Sequence, residues 1–254
     1  MARPKKEFKA NIQEKINLPS RGIPYGDDIP ESFTMKPMTL NETKIIYGSS
    51  NTMNALDSVL KKCINIEDFP VHKLLLGDKL YLAYQLRALT FGEMYNVSLF
   101  CPTCKKPVDV SFNLTQAEID YAPDNFEMYK NIGKLPYSGD EIVTKVLTVG
   151  DYENLMERAE EIKREYPEYE GDPILPLSVA AQIYTINGEK KPSRLKEEYA
   201  TNMHAMDEIY FSEKVQNIAI GPKVLQHVDC PECGRNLEFA INMGEQFFRP
   251  KLSF

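Results

Sequence analysis

The sequence contains no tryptophan, so large apolar surface for a core or an interface must come from its 14 tyrosines and 12 phenylalanines. It has no stretch approaching the roughly 18 consecutive apolar residues of a membrane-spanning helix, and none is expected. Residues Met1–Glu7 are basic, but no apolar segment follows them. No signal peptide is therefore expected, and the chain is placed in the cytosol, where thiols stay reduced. An excess of positive charge is missing too. The 30 Lys and Arg face 37 Asp and Glu, giving −7 and a pI near 5.2. That is the wrong sign for a domain-wide nucleic-acid footprint, although a local basic patch stays open. The sequence lacks Gly-x-x-x-x-Gly-Lys-Ser/Thr, Gly-x-Gly-x-x-Gly, His-Glu-x-x-His and Gly-x-Ser-x-Gly. It shows no low-complexity tract and no linker long enough to separate free domains.

What is present is a globular composition. With 254 residues, 43% of them hydrophobic, the chain can bury a core and is not a disordered tail protein. Five cysteines stand at positions 63, 101, 104, 230 and 233. Four of them form two Cys-x-x-Cys pairs, and in reduced surroundings this favours a metal over disulfides. The pairs sit in matching segments. When Cys101 is set on Cys230, Val108, Val110 and Phe112 fall on Leu237, Phe239 and Ile241 without a gap. Each copy reads as strand, Cys-Pro-x-Cys turn and strand, the second strand alternating with period two.

A Cys-x-x-Cys turn aims two sulfurs at one point, and two such turns supply four thiolates for a tetrahedral ion. Thiolates are soft ligands that admit zinc or iron and exclude Mg²⁺ and Ca²⁺. Pro102 and Pro231 stiffen the turns, and Gly234, like Lys105 in the first copy, sits where the backbone must relax. The expectation is one structural Zn²⁺ per chain on Cys101, Cys104, Cys230 and Cys233. Four protein sulfurs leave no open position of the kind a catalytic zinc keeps. Common ribbons separate their pairs by roughly 15–20 residues, whereas here residues 105–229 intervene, so the reading requires a ribbon split by a large insertion. Cys63 falls on an apolar helical stripe with Leu56, Val59 and Leu60 and is read as a small buried hydrophobe. His72 and His204 have no partner at ligand spacing and are read as ordinary helix residues, and His227 as a surface residue.

Around these motifs the chain divides into an extended N-terminal arm (1–38), a helical segment (39–92), the two halves of the ribbon (93–114 and 223–245) and a helical insertion (115–222). In the arm, Pro and Gly punctuate Leu18–Gly26, while Phe8, Ile12, Ile16 and Leu18 suit a segment that lies on something. Ser32–Met35 suits a short strand. Thr39 or Asn41 caps a helix through Ile46 that Gly48 ends, and Asp68 with Pro70 opens a further helix. In the insertion, Asp151 caps a charged helix from Tyr152 to Tyr166. A nearly all-apolar, buried helix runs from Asp172–Pro173 to Ile186, where Asn187-Gly188 ends it. Two more helices follow, one capped by Ser193 and one from Met206 or Asp207. The carboxylates of the first insertion helix are paired with Arg158, Lys163 and Arg164 as a solvated face. The fold class is α+β, a mostly helical body with a split zinc-ribbon-like β module closed by a helical insertion.

At Leu18-Pro19-Ser20-Arg21-Gly22…Tyr25, at Phe33-Thr34-Met35-Lys36-Pro37-Met38-Thr39…Glu42, at Val59-Leu60-Lys61-Lys62-Cys63-Ile64 and at Met206-Asp207-Glu208-Ile209-Tyr210, the chain resembles the baseplate proteins of T4-like contractile phage tails. Some members of that family also carry two Cys-x-x-Cys pairs around a helical middle. The resemblance implies a non-enzymatic component or assembly factor of the baseplate hub, found in the virion or in the host cytoplasm during assembly. Its partners would be other baseplate or tail proteins or further copies of the chain, with no nucleic acid and no membrane. It carries over no catalytic residue. Two other classes compete with it. One is a zinc-ribbon nucleic-acid or transcription-associated module, against which the −7 charge counts. The other is a thiol redox enzyme, which lacks the βαβ context of a redox Cys-x-x-Cys.

Overall fold

A computed structural model describes residues 13–49 and 51–250. Among these, seven α-helices are interspersed with small antiparallel sheets, none wider than three strands. Phe8 and Ile12 of the expected arm lie outside the described residues.

The remainder of that arm is not a separate extension. Strand β1 (Glu14–Asn17) pairs antiparallel with β2 (Ser32–Met35), and Ile16, Leu18, Tyr25, Ile29, Phe33 and Met35 are all buried in the main core. The physical reason is an anchor that composition does not display. The Ser20 backbone N–H donates to Asp78 Oδ1 at 3.0 Å, and the Tyr25 hydroxyl donates to Asp78 Oδ2. The same hydroxyl accepts from the Leu75 N–H at 2.8 Å. Asp78 is fully buried, and burial pushes its carboxyl above the usual range.

The first helices follow their caps. Thr39 and Glu42 form a reciprocal capping box at the start of α1 (Leu40–Tyr47). Asn51 accepts from two backbone N–H groups of α2 (Thr52–Cys63), whose Leu56, Val59, Leu60 and Cys63 all face the core. The expected helix at Asp68–Pro70 is a single 3-10 turn, Val71–Lys73, that carries His72. Helix α3 (Leu76–Phe91) starts only after it. Lys79 of α3 meets Asp57 of α2 at 2.6 Å with both side chains largely buried.

Two hairpins come next in space. Strand β3 (Met94–Cys101) pairs with β4 (Lys106–Asn113), and β10 (Leu225–Asp229) with β11 (Asn236–Ala240). Between them in sequence, β5 (Ile119–Asp120) pairs with β9 (Gly221–Pro222) where the intervening segment departs and returns.

That intervening segment corrects the expectation of a purely helical insertion. It contains a three-stranded sheet of β6 (Tyr129–Lys134), β7 (Glu141–Lys145) and β8 (Ile183–Ile186), in that order. Helix α4 (Val149–Glu165) is capped by Thr148, with Asp151 as the reciprocal partner rather than the cap. Helix α5 (Ile174–Gln182) stops four residues short of Ile186. Ile183–Ile186 is rich in β-branched residues, and Asn187 and Gly188 both take positive φ, 51° and 80°. They form the two-residue turn of a hairpin, in which Ile186 and Glu189 exchange both backbone hydrogen bonds at 3.0 Å. Nor is α5 buried all round, since Leu175 is 59% exposed while Leu177, Val179 and Ala180 are covered. Helices α6 (Ser193–Thr201) and α7 (Ala205–Gln216) close a second core around Ile142, Ile183 and Phe211.

The returning chain is locked against α3 by two glycines. A Cβ on Gly77 would lie 1.7 Å from the Ile220 carbonyl oxygen, and one on Gly221 would lie 2.5 Å from the Gly77 Cα. Backbone touches backbone here, so neither side can yield as a flexible side chain would. Gly77→Ala is expected to lower stability by at least ~3 kcal/mol, the upper end of overpacking costs. A urea unfolding curve that shifts by less than ~1 kcal/mol would show that this crossing is not a constraint.

Candidate metal centre

Each pair of cysteines sits at the closed end of its hairpin. In the first turn the Lys105 N–H donates to the Cys101 carbonyl at 2.8 Å, and in the second the Gly234 N–H donates to that of Cys230 at 2.9 Å. Both donor residues are left-handed, with φ of 55° and 69°. Gly234 takes that conformation without strain, whereas Lys105 must carry its Cβ into it. The two turns are therefore the same structure written twice, as the gapless sequence match implied.

The hairpins then stack on their inner faces. Val108, Val110 and Leu237 are buried between them, with Val97, Leu99 and Val228 packed alongside. At the far end from the turns, Phe112 meets Phe239 edge-on at 5.3 Å and joins this layer to the main core. Full burial of each such side chain contributes about 1.5–3 kcal/mol. The alternation noted in the sequence thus selects the face that brings the four cysteines together.

The four sulfurs lie within 4.8 Å of one another. Two of the separations run between hairpins, Cys101 to Cys233 at 3.7 Å and Cys104 to Cys230 at 3.9 Å. These separations are far beyond a disulfide bond of about 2.05 Å. A tetrahedral ion with metal–sulfur bonds of about 2.3 Å requires sulfurs about 3.8 Å apart, so the donor set fits a zinc-sized ion in both chemistry and spacing. Cys101 and Cys230 are buried, Cys104 is partly covered and Cys233 is exposed.

Electrostatics point the same way. The Cys104 N–H approaches Cys101 Sγ at 3.4 Å, and this backbone donor draws the Cys101 thiol down to about 7. The Cys104 thiol, held by the sulfur of Cys233, is pushed up to about 12. The backbone donor thus favours a thiolate at Cys101, while the neighbouring sulfur favours the neutral thiol at Cys104. Outside the sulfurs, Lys106 pairs with Glu232 at 2.7 Å, and Arg235 Nη1 donates to Thr103 Oγ1 at 3.1 Å. Both contacts tie one turn to the other. Their exposure makes them weak contributors to stability, but they occupy two of the three basic groups at this tip.

The remaining candidates separate from the cluster. Cys63 is 1% exposed at the end of α2, where burial raises its thiol to about 12. His204 caps α7 by accepting from the Met206 N–H at 3.2 Å and stacks against Tyr137 at 3.7 Å. His227 is paired with Asn236 at 3.1 Å. The sequence signalled the sulfurs and the turns, whereas the bridging roles of Thr103, Glu232 and Arg235 carried no periodicity or motif to reveal them.

No curated protein and no solved structure matches this chain. One family model does, described as T4 bacteriophage base plate protein, and it spans residues 9–249 of the 254. That span takes in both cysteine hairpins, the segment between them and the anchored N-terminal turn. The shared sequence is thus that of the whole body and not of one motif, and the chain belongs to the T4 bacteriophage base plate protein family.

Proposed function

We propose that the chain is a non-enzymatic structural or assembly protein of the hub region of a contractile phage tail baseplate. It acts through contacts with other tail proteins, and one structural Zn²⁺ pins its two hairpins together. The family match over residues 9–249 supports the tail role. The single observation that carries the metal is the set of four sulfurs within 4.8 Å. In this reading residues 93–114 and 223–245 form a split ribbon, 115–222 is an insertion in it and 39–92 is the helical support. The ligands are Cys101, Cys104, Cys230 and Cys233. No described helix is long and apolar enough to cross a membrane. The net charge of −7 argues against service on a nucleic-acid backbone.

Metal analysis tests the site. One zinc per chain is expected, and Cys230→Ser/Cys233→Ser should abolish it, with the hairpins loosening before the helices melt. The helical and sheet cores have their own buried clusters, so the metal contributes less of the folding free energy than the ~10 kcal/mol seen in isolated zinc peptides. Unchanged zinc in that double variant would remove the shared site. Salt-sensitive binding to nucleic acid by the wild type would overturn the proposal that the protein acts through protein contacts alone.

Cys63 is the internal control. Cys63→Ala should keep its full zinc content and lose only about 1 kcal/mol of stability. Loss of metal from this variant would show that the ligand assignment is wrong.

A further inference from the structure

Strand β3 has two edges, and only one is used. The Leu114 N–H donates to the Glu93 carbonyl at 3.0 Å at the open end of the hairpin. Hydrogen-bonded pairs alternate along an antiparallel ladder. The odd-numbered residues of β3 therefore bond to β4, and Met94, Asn96, Ser98 and Phe100 turn their N–H and C=O groups to the opposite edge. Among the described residues no strand pairs with that edge, and no turn or loop hydrogen bond reaches residues 94–100.

The side chains make this edge unusual. β3 and β4 are the longest described strands, eight residues each. β4 carries Lys106, Pro107 and Asp109, the residue types that blunt an edge against unwanted pairing. β3 reads Met-Tyr-Asn-Val-Ser-Leu-Phe-Cys, with no charge and no proline. Phe100 is 66% and Met94 47% exposed. A free edge of this length and composition is an open template for another strand.

The pattern also says which strand fits. About Val97 the sequence is palindromic in character, with Asn96 and Ser98 polar, Tyr95 and Leu99 apolar, and Met94 and Phe100 apolar. In an antiparallel pairing of two copies centred on Val97, Met94 faces Phe100, Tyr95 faces Leu99 and Asn96 faces Ser98. This register is an even one, so the outward faces of both copies stay on the same side. The residues with unused N–H and C=O groups then fall opposite one another, as Met94 with Phe100 and Asn96 with Ser98. No like charges meet, and a sulfur lies against an aromatic ring.

We infer that β3 is a self-complementary docking edge, through which two copies of this chain pair antiparallel about Val97 in a twofold contact. The contact joins two β3–β4 hairpins into one four-stranded sheet. The inference does not rest on the metal or on the baseplate reading.

Ser98→Lys tests it. In the fold, residue 98 lies directly across from Asp109, so the new lysine gains an opposite charge within its own chain. In the pair, the two lysines flank the twofold axis and repel. Light scattering of the full chain over a concentration series is expected to show a dimer. Ser98→Lys should raise its dissociation constant by at least about tenfold, and Ser98→Thr should leave it unchanged. Hydrogen exchange should show the amides of Met94, Asn96, Ser98 and Phe100 slowing as concentration rises. A monomer at every concentration would overturn the proposal. So would a dimer that Ser98→Lys does not weaken and in which those amides stay unprotected. Protection that arises only when another tail protein is added would assign the edge to that partner and not to a second copy.

Discussion

Two hairpins far apart in sequence must meet face to face, and the rest of the architecture serves that meeting. Their inner faces share one apolar layer, Val108 and Val110 against Leu237, and their turns bring four sulfurs within 4.8 Å. Closing so long a loop is entropically less severe than its length suggests, because the cost grows only with the logarithm of loop length. The larger demand is geometric, since the chain has to leave β4 and return to β10 at the right place. The β5–β9 pair and the crossing of Gly77 with Gly221 meet that demand. The first binds the two ends of the intervening segment to each other, and the second holds the returning end against α3. The segment can then fold around its own cores without pulling the hairpins apart.

Much of the cysteine geometry was legible in the sequence because the hairpin is repeated. A single Cys-x-x-Cys is ambiguous, but a second copy with the same downstream alternation fixes which residues face inward. The matched backbone hydrogen bonds of Lys105 and Gly234 are the same pattern in three dimensions. The burial of Cys63 was legible for a similar reason, since helical periodicity specified its face. The sheet β6–β7–β8 was not. β6 (Tyr-Lys-Asn-Ile-Gly-Lys) has only one buried residue, Ile132, so it offers no alternation to detect. Ile183–Ile186 follows an apolar helix directly, and a short apolar run cannot be divided into helix and strand by periodicity alone. Asn187-Gly188 does not resolve it alone, since it serves equally as a helix stop and as a hairpin turn. Its β-branched predecessors favour the turn.

The N-terminal segment shows a different limit. Pro and Gly between positions 18 and 26 correctly announce irregular backbone, but irregular backbone is not the same as a free arm. Beside its apolar residues buried in the main core, this segment is held by a polar contact, the pair Ser20 and Tyr25 on the buried carboxylate of Asp78. No hydrophobic pattern encodes such a contact, because its partners lie more than fifty residues apart and neither is apolar. The resemblance noted at Leu-Pro-Ser-x-Gly-x-x-Tyr now has a physical meaning. Ser20 supplies the N–H, Gly22 takes φ of 73° with the backbone of Glu31 only 2.8 Å from where a Cβ would be, and Tyr25 supplies the hydroxyl.

Asp78 also connects the two constraints. It lies one residue beyond Gly77 in the first turn of α3, where a carboxylate is favoured by the helix N-terminal field. One short stretch, Leu75 to Lys79, therefore receives the anchored N-terminal segment through Asp78. It receives the returning chain through Gly77 and α2 through the Lys79–Asp57 ion pair. A buried, fully hydrogen-bonded carboxylate tolerates little displacement, since losing either donor leaves the charge unsatisfied at about 1–3 kcal/mol or more. The start of α3 is thereby held rigid, and the hairpins that follow it in the chain inherit a fixed base. The turns that gather the sulfurs project from this base, and so does the open edge of β3. A surface that must pair with a neighbour in a fixed register needs this kind of support, because strand pairing tolerates no slip of one residue.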